Sequence, residues 1–197
     1  AEVAIGSYLV NYFMDMNLHI LIKESPSMNA IANGIAALLN TSLDNKDPRA
    51  LVGIFVIFYW GSAMVGRFIG AYLTRIFNPS RILFLFALGA ITMIVISISS
   101  TGLLSMWSIL LVGLFNSIMF PTIFTTAISG LGDMKPQASG LLCSLIVGGA
   151  IIPPLYGLAT DWIGFKTALL LVIICYAYIL FYAQYQKIIR NKTIVKP

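Results

Sequence analysis

Six long runs of apolar residues follow one another along this chain, separated by shorter polar stretches. A helix needs about 20 mostly apolar residues to cross the hydrocarbon core of a membrane, and each run is close to that length. The predicted spans cover residues 1–22, 51–77, 82–99, 104–128, 138–160 and 165–186. This pattern predicts an all-α membrane protein with six transmembrane helices.

The segments between the predicted spans carry the residues that end helices. Asn78, Pro79 and Ser80 predict a tight turn after the second span, because proline cannot continue the preceding helix. The longest connection is the loop 23–49, whose part 30–39 predicts a short helix on the membrane surface, since it is too short and interrupted to span. Residues 187–197 form a polar tail.

The composition fits a protein surrounded by lipid. Hydrophobic residues make up 59% of the chain and charged residues 10%, against about 25% charged residues in a typical soluble domain. The mean hydropathy is +0.92. The net charge is +5, but no basic patch alternates with exposed aromatic residues, so we expect no nucleic-acid partner.

Lysine and arginine are unevenly distributed between the two ends of the spans. Six spans put both termini on one side, which carries seven of these residues, and the opposite side carries four. Arg67 lies within a span and is not counted. Because cytoplasmic loops are enriched in lysine and arginine, we expect the chain start and the tail to be cytoplasmic.

The first predicted span carries polar residues on a single helical face. Ser7, Asn11 and Asp15 follow at i, i+4 and i+8, with Tyr8 and Tyr12 beside them. Lipid does not tolerate such a face, so we expect it to line the interior of the bundle or a water-filled cavity. Asn11 then either contacts a substrate or forms a hydrogen bond between helices.

The second predicted span contains a charged residue, and charged residues inside a membrane suggest function. Arg67 follows Trp60 by seven residues, so the two share a helix face. The Trp60 ring can stack on a sugar, and Arg67 can donate to sugar hydroxyls or pair with a carboxylate. The alternatives are that Arg67 extends to the cytoplasmic surface or ties helices together.

The fourth predicted span combines an amide with a helix-breaking proline. Asn116 and Phe120 are one turn apart, and Pro121 removes a backbone hydrogen bond after them. The Asn116 amide can both donate and accept, which suits a sugar hydroxyl. Phe120 is either part of a cavity wall or part of the apolar core.

Enzyme chemistry has little support in the sequence. Cys143 and Cys175 both lie in predicted spans, outside any CxxC or Cys/His cluster, so they predict neither a disulfide framework nor a metal site. No phosphate-binding glycine loop and no metalloprotease or nucleophile motif is present. We expect no enzymatic activity, no metal and no cofactor.

A weak internal repeat links the second and fifth spans. Residues 70–77 and 157–164 match at a glycine and an isoleucine and carry a polar residue at the fifth position. These spans are the middle helices of two three-span units. Because three is odd, the second unit crosses the membrane in the opposite sense, which is the inverted 3+3 arrangement.

Four segments of the chain resemble the fucose permease branch of the major facilitator superfamily. They are residues 2–12 (EVAIGSYLVNY), 66–70 (GRF followed by Gly70), 115–124 (FNSIMFPTIF), and 139–153 (SGLLC and VGGAIIP). They resemble the seventh, eighth, tenth and eleventh helices of the glucose/galactose transporters of that branch. The resemblance implies half of a twelve-helix fold and proton-coupled hexose uptake by alternating access in an inner membrane. Phe120 stands where the fucose-specific member has tyrosine, which favours glucose or galactose.

The resemblance also implies a set of substrate-binding residues and partners. The expected partners are a hexose, a proton, the lipid bilayer and an N-terminal six-helix half. The candidates that would line the sugar side of this half are Tyr8, Asn11, Trp60, Arg67, Asn116 and Phe120.

The start of the chain inside the first predicted span favours the interpretation that it is a C-terminal half. The family's proton-coupling acidic residues would then lie in the absent half. The alternatives are a membrane fragment that transports nothing, a half-transporter that dimerises, and a membrane enzyme.

Overall fold

The computed structural model describes residues 1–39 and 47–194, and the elements in these ranges are helical. The α-helices in chain order are α1 (Glu2–Asp15), α2 (Leu18–Glu24), α3 (Pro26–Leu38), α4 (Pro48–Gly53), α5 (Val56–Ile76), α6 (Pro79–Ser99), α7 (Gly102–Asn116), α8 (Met119–Ala127), α9 (Lys135–Ser144), α10 (Gly148–Ile163) and α11 (Phe165–Ile194). Two 3-10 turns, Gly132–Met134 and Leu145–Val147, flank α9.

Five helical stretches in the described residues are long and apolar enough to cross a membrane. They are Pro48–Ile76, Pro79–Ser99, Gly102–Ala127, Gly132–Ile163 and Phe165–Gln186. These stretches correspond to the second to sixth predicted spans. The first predicted span is divided instead into α1 and α2, because the chain turns at Asn17, whose φ of 53° is left-handed. Asparagine adopts this conformation more readily than most residues.

Two interrupted segments followed by one continuous helix occur twice along the chain. The first, second, fourth and fifth segments each break into two helices, whereas the third and sixth are the single helices α6 and α11, of 21 and 30 residues. The first break follows 14 residues of α1 and the fourth-segment break follows 15 residues of α7. A continuous helix thus closes each of two three-segment units, as a 3+3 repeat requires.

The core forms where these two units meet. Helix α6 packs along both α11 and α7, α7 also packs along α5, and α1 packs against α10. An added Cβ on Gly66 would lie 2.1 Å from the Leu114 carbonyl oxygen, and one on Gly113 would lie 2.3 Å from the Tyr59 carbonyl oxygen. The backbones of α5 and α7 are therefore in direct contact, as small residues permit between membrane helices.

A buried hydroxyl cluster holds the far end of α1 against the α6–α7 turn. The Tyr12 hydroxyl lies 3.0 Å from both the Ser97 and the Ser105 hydroxyl oxygens. Ser105 also donates to the Ser97 carbonyl oxygen at 2.7 Å. Since buried polar groups need hydrogen-bond partners, these three side chains stabilise one another and fix where α1 meets the hairpin.

Side chains also form hydrogen bonds with backbone groups at both ends of α6. The Asn78 side chain accepts from the Ser80 N–H at 3.1 Å, and Pro79 takes the first helical position, so the predicted tight turn is present. At the other end, the Lys166 ammonium donates to the Ser100 carbonyl oxygen at 2.5 Å. A cation is favourable there because carbonyl groups point out of a helix C-terminus.

Two polar segments of the sequence are largely helical. Helix α3 (Pro26–Leu38) covers most of the stretch of the loop 23–49 for which a short helix is predicted, while residues 40–46 lie outside the described residues. The predicted tail 187–197 continues α11 as far as Ile194, and residues 195–197 are again outside the described part.

We expect Gly66→Ala to destabilise the protein. The new methyl group would overlap the Leu114 carbonyl oxygen, so α5 and α7 would have to separate, and overpacking of this kind costs about 1–3 kcal/mol. The measurement is the thermal unfolding midpoint in detergent. The matched control is Gly61→Ala on the same helix, where a Cβ would meet nothing within 4 Å. Equal midpoints for the two variants would show that the backbone contact is not important.

Candidate functional site

The predicted polar face of α1 lies on the surface of the described bundle. Ser7, Asn11 and Asp15 are all exposed. A hydrogen bond from Asn11 to another helix is absent among the bonds of the described residues, so its amide is available. Because lipid does not accept a carboxylate and an amide on one face, this face must meet water or another protein surface.

The Trp60 side chain extends this face from α5. Trp60 is 54% exposed, and a Cβ on Gly6 of α1 would lie 3.4 Å from the Trp60 ring. The ring also stands edge-on to Tyr59, with centroids 5.4 Å apart. Trp60 is thus held beside α1 while about half of the residue stays exposed, and an exposed indole ring is able to stack on a flat ligand.

Tyr8 lies on the opposite side of α1, against α10. Its ring stands edge-to-face with Tyr156, with centroids 5.3 Å apart. A Cβ on Gly157 would lie 2.3 Å from the Tyr8 hydroxyl oxygen, so only glycine permits this approach. Tyr8 is half-buried, and it joins α1 to α10 beside the polar face.

Asn116 occupies the interior of the bundle. It is 4% exposed, and both polar atoms of its side chain have partners. Its Nδ2 donates to the Tyr59 hydroxyl at 3.0 Å, the Tyr59 hydroxyl donates to the Glu2 carbonyl oxygen at 3.3 Å, and the Tyr176 hydroxyl donates to Asn116 Oδ1. This amide network links α1, α5, α7 and α11. Contact between Asn116 and a sugar stays a prediction, and it would require these bonds to rearrange.

The break between α7 and α8 directly follows Asn116. Ser117 and Ile118 lie between the two helices and are buried. Pro121 has no N–H, so the Ser117 carbonyl group lacks its usual partner four residues later. Broken backbone at membrane depth is tolerated where it is buried in protein or lines a cavity. Such discontinuous helices form the substrate and ion sites of many transporters.

Arg67 lines a pocket of about 350 Å³ between α5 and α8. Its walls also include Thr74, Thr122 and Thr125, and Arg67 itself is exposed. The hydroxyls of Thr74 and Thr125 donate back to carbonyl oxygens of their own helices, at 3.0 and 2.9 Å. Their oxygens remain able to accept hydrogen bonds, while Arg67 supplies donors and a positive charge.

Phe120 and Glu2 complete the surroundings of these polar groups. Phe120 on α8 is 50% exposed, and its ring lies 6.0 Å from that of Phe124, so it belongs to the surface rather than to the core. Glu2 lies at the start of α1, and its carbonyl oxygen accepts a hydrogen bond from the Tyr59 hydroxyl at 3.3 Å. The sequence places the Glu2 carboxylate roughly opposite Asn11 around this helix, near the inner end of the first predicted span.

The six candidate residues thus fall into three places. Tyr8, Asn11 and Trp60 lie on or beside α1, and Arg67 and Phe120 lie on the α5 and α8 surfaces. Asn116 is inside, bound to two tyrosines. Within the described part of the chain, no three His, Cys, Asp or Glu side chains are placed to hold a metal ion.

Known proteins similar to this chain are sugar transporters. The chain is 43% identical over 182 residues to the glucose/galactose transporter of Brucella abortus, with 92% of this chain and 38% of that protein covered. It is 31% identical over 187 residues to the L-fucose-proton symporter of Escherichia coli, covering 94% of this chain and 36% of that protein. No family model matches. Of these two relatives, the glucose/galactose transporter has the higher identity to this chain.

The fold leads to the same group of proteins. The structure superposes on the crystal structure of the major facilitator superfamily transporter FucP in the outward conformation with a TM-score of 0.76. The sequence identity is 26%, and the match covers 94% of this chain and 39% of that one.

The relatives and the five apolar helices indicate a multi-pass membrane protein, and none of the named relatives is an enzyme. The chain spans less than two fifths of the length of these relatives. By sequence and by fold, the chain belongs with the glucose/galactose and fucose transporters of the major facilitator superfamily, of which it matches one portion.

Proposed function

We propose that this chain is the C-terminal six-helix half of a transporter that takes up a hexose together with a proton by alternating access. Glucose and galactose are the proposed substrates, because the relative of higher identity carries their names. The observation that carries the proposal is the exposed face of α1 with Ser7, Asn11 and Asp15. A membrane helix with this face needs a watery path or a polar partner beside it.

A second surface of the chain supports the proposal that another half covers it. In the stretch Gly132–Ile163, only 6% of the most apolar window is buried. A Cβ added to Gly140 or Gly148 would meet nothing within 4 Å, although small residues in membrane helices usually permit close packing. In this proposal an N-terminal six-helix half, in the same chain or a separate one, covers α1, α9 and α10. The α1 and α2 helices together would form the first crossing of this half.

The candidate residues receive separate roles in this proposal. Trp60 stacks on the sugar, Asn11 exchanges hydrogen bonds with its hydroxyls, and Tyr8 and Phe120 shape the cavity wall. Arg67 donates to the sugar or pairs with a carboxylate of the opposite half. The chain start and the tail face the cytoplasm of the inner membrane, because the tail side carries seven lysine and arginine residues against four.

We expect transport to require both halves. This chain would be expressed in a transport-deficient bacterium, alone and together with the N-terminal six-helix half of a relative, and uptake of radiolabelled glucose and galactose would be measured. Uptake only on co-expression, abolished by a protonophore, is the expected result. Uptake by this chain alone would contradict the need for another half. Absence of uptake in both cases, with membrane insertion verified, would favour a fragment that transports nothing.

We expect Trp60→Ala to weaken sugar binding in the complete transporter, because it removes the exposed indole ring beside α1. The measurement is the sugar concentration at half-maximal uptake, together with binding of labelled sugar. Trp162→Ala is the matched control, since Trp162 is also an exposed tryptophan, at 87%, and lies at the end of α10 rather than on α5. If the two variants change sugar affinity equally, Trp60 is not a sugar ligand.

Tyr176→Phe separates the structural role of Asn116 from its proposed role in binding. The variant leaves the buried Asn116 Oδ1 without its tyrosine partner, and an unpaired buried group costs about 1–3 kcal/mol. We expect a lower unfolding midpoint with sugar affinity unchanged or raised, because the amide oxygen becomes available. The control is Tyr178→Phe on the same helix, where the side chain is 71% exposed.

Asn116→Leu provides the complementary test. It leaves the buried Tyr176 hydroxyl without its acceptor and removes the donor to the Tyr59 hydroxyl, which keeps its bond to the Glu2 carbonyl oxygen, so the unfolding midpoint should fall further than in Tyr176→Phe. Sugar affinity should also fall if Asn116 binds the substrate. A variant with a lower midpoint and unchanged sugar affinity would remove Asn116 from the binding site and leave it a purely structural role.

A further inference from the structure

A second cavity lies far from the α1 face, between the start of α6 and the last turns of α11. It has a volume of about 590 Å³. Ser80, Arg81 and Gln184 are its polar lining residues, and Phe84, Leu85 and Ile188 form its apolar wall. We propose that this groove binds an anionic phospholipid, with Arg81 contacting the phosphate of the headgroup and the apolar wall contacting the first part of an acyl chain.

The groove opens on the lipid side of the bundle. Along α6, Leu85 and Leu88 are 56% and 43% exposed, and along α11, Ile174 and Phe181 are both 66% exposed. These side chains form an apolar surface of the kind that faces hydrocarbon. The polar face with Asn11 belongs to α1, so the groove is separate from the proposed sugar path.

The depth of Arg81 matches the position of lipid phosphates. Helix α6 has 21 residues, which at 1.5 Å per residue is a length of about 31 Å, close to the about 30 Å thickness of the hydrocarbon core. Arg81 is the third residue of α6 and therefore lies at one edge of that core. The other edge is marked by the Lys166 bond to the Ser100 carbonyl oxygen.

The charge of the groove selects the ligand. The Arg81 side chain is exposed and has no hydrogen-bond or ion-pair partner within the described part of the chain, and no carboxylate lines the groove. A guanidinium group presents a planar pair of donors that fits phosphate oxygens. A neutral sugar would leave both the charge and the apolar wall unused.

The test is lipid retention by the full-length protein, measured by native mass spectrometry after titration with phosphatidylglycerol or phosphatidylcholine of the same acyl chains. We expect Arg81→Gln to weaken phosphatidylglycerol binding about fivefold, the contribution of one basic residue near an anionic surface. Phosphatidylcholine binding should not change. Arg81→Lys should retain part of the preference. Arg75→Gln is the matched control, because Arg75 is exposed at the same end of the bundle but does not line the groove.

A second variant tests the groove without removing Arg81. Ile188 is 53% exposed, so Ile188→Asp should leave the core intact and repel an anionic lipid from the groove. Loss of phosphatidylglycerol in both Arg81→Gln and Ile188→Asp, but not in Arg75→Gln, would support the site. Equal retention in all variants would overturn it. Displacement of the lipid by millimolar inorganic phosphate would also overturn it, because the groove would then bind anions rather than lipid. None of these outcomes depends on the proposed sugar transport.

Discussion

Every backbone N–H and C=O inside a bilayer needs a partner within the protein, and this constraint organises the whole structure. The continuous helices α6 and α11 meet it by themselves, and they pack on each other. The interrupted segments need help from side chains or from burial. At the α7–α8 break, the Ser117 hydroxyl donates to the Leu114 carbonyl oxygen at 2.8 Å, and Ser117 and Ile118 are buried. The α7–α8 break therefore lies where other helices surround it, whereas Leu145–Val147 between α9 and α10 is exposed in the described structure.

The association of the helices depends on close approach and hydrogen bonds more than on hydrophobic burial. Lipid tails are as apolar as leucine, so moving a leucine from lipid to a helix interface gains little. Gly66 and Gly113 allow the α5 and α7 backbones to touch. The Asn116 network and the Tyr12 cluster with Ser97 and Ser105 then fix how α1 sits against these helices. Between them, these contacts specify one arrangement of helices that are individually apolar almost all round.

The sequence predicted the long elements well because length and hydropathy alone define a membrane helix. The third predicted span, 82–99, ends at the same residue as α6, Ser99. The division of the first span at Asn17 was not predictable, since neither glycine nor proline marks it and the surrounding residues continue the helical pattern. The start of α6 was predictable, because Asn78 and Pro79 are residues that typically begin a helix.

The candidate site was predictable only in part. A polar stripe on α1 follows from local spacing, and the structure places it on the surface of the described bundle. The partners of Asn116 could not be predicted, because Tyr59 and Tyr176 are 57 and 60 residues away in the chain. The same amide suits a sugar hydroxyl and a buried tyrosine equally well by its chemistry, so only its surroundings distinguish the two roles.

The arrangement of broken and unbroken helices gives the two faces of the molecule different mechanical properties. The continuous pair α6 and α11 carries exposed apolar side chains such as Leu85 and Phe181, while the interrupted segments carry the polar face and the Arg67 pocket. In carriers that alternate their access, one bundle rocks against another around a site built from discontinuous helices. A short break such as Ser117–Ile118 can absorb a change in backbone angles that a continuous helix cannot. The face with candidate sugar ligands is therefore also the one whose backbone can adjust, while α6 and α11 remain a rigid edge toward the lipid.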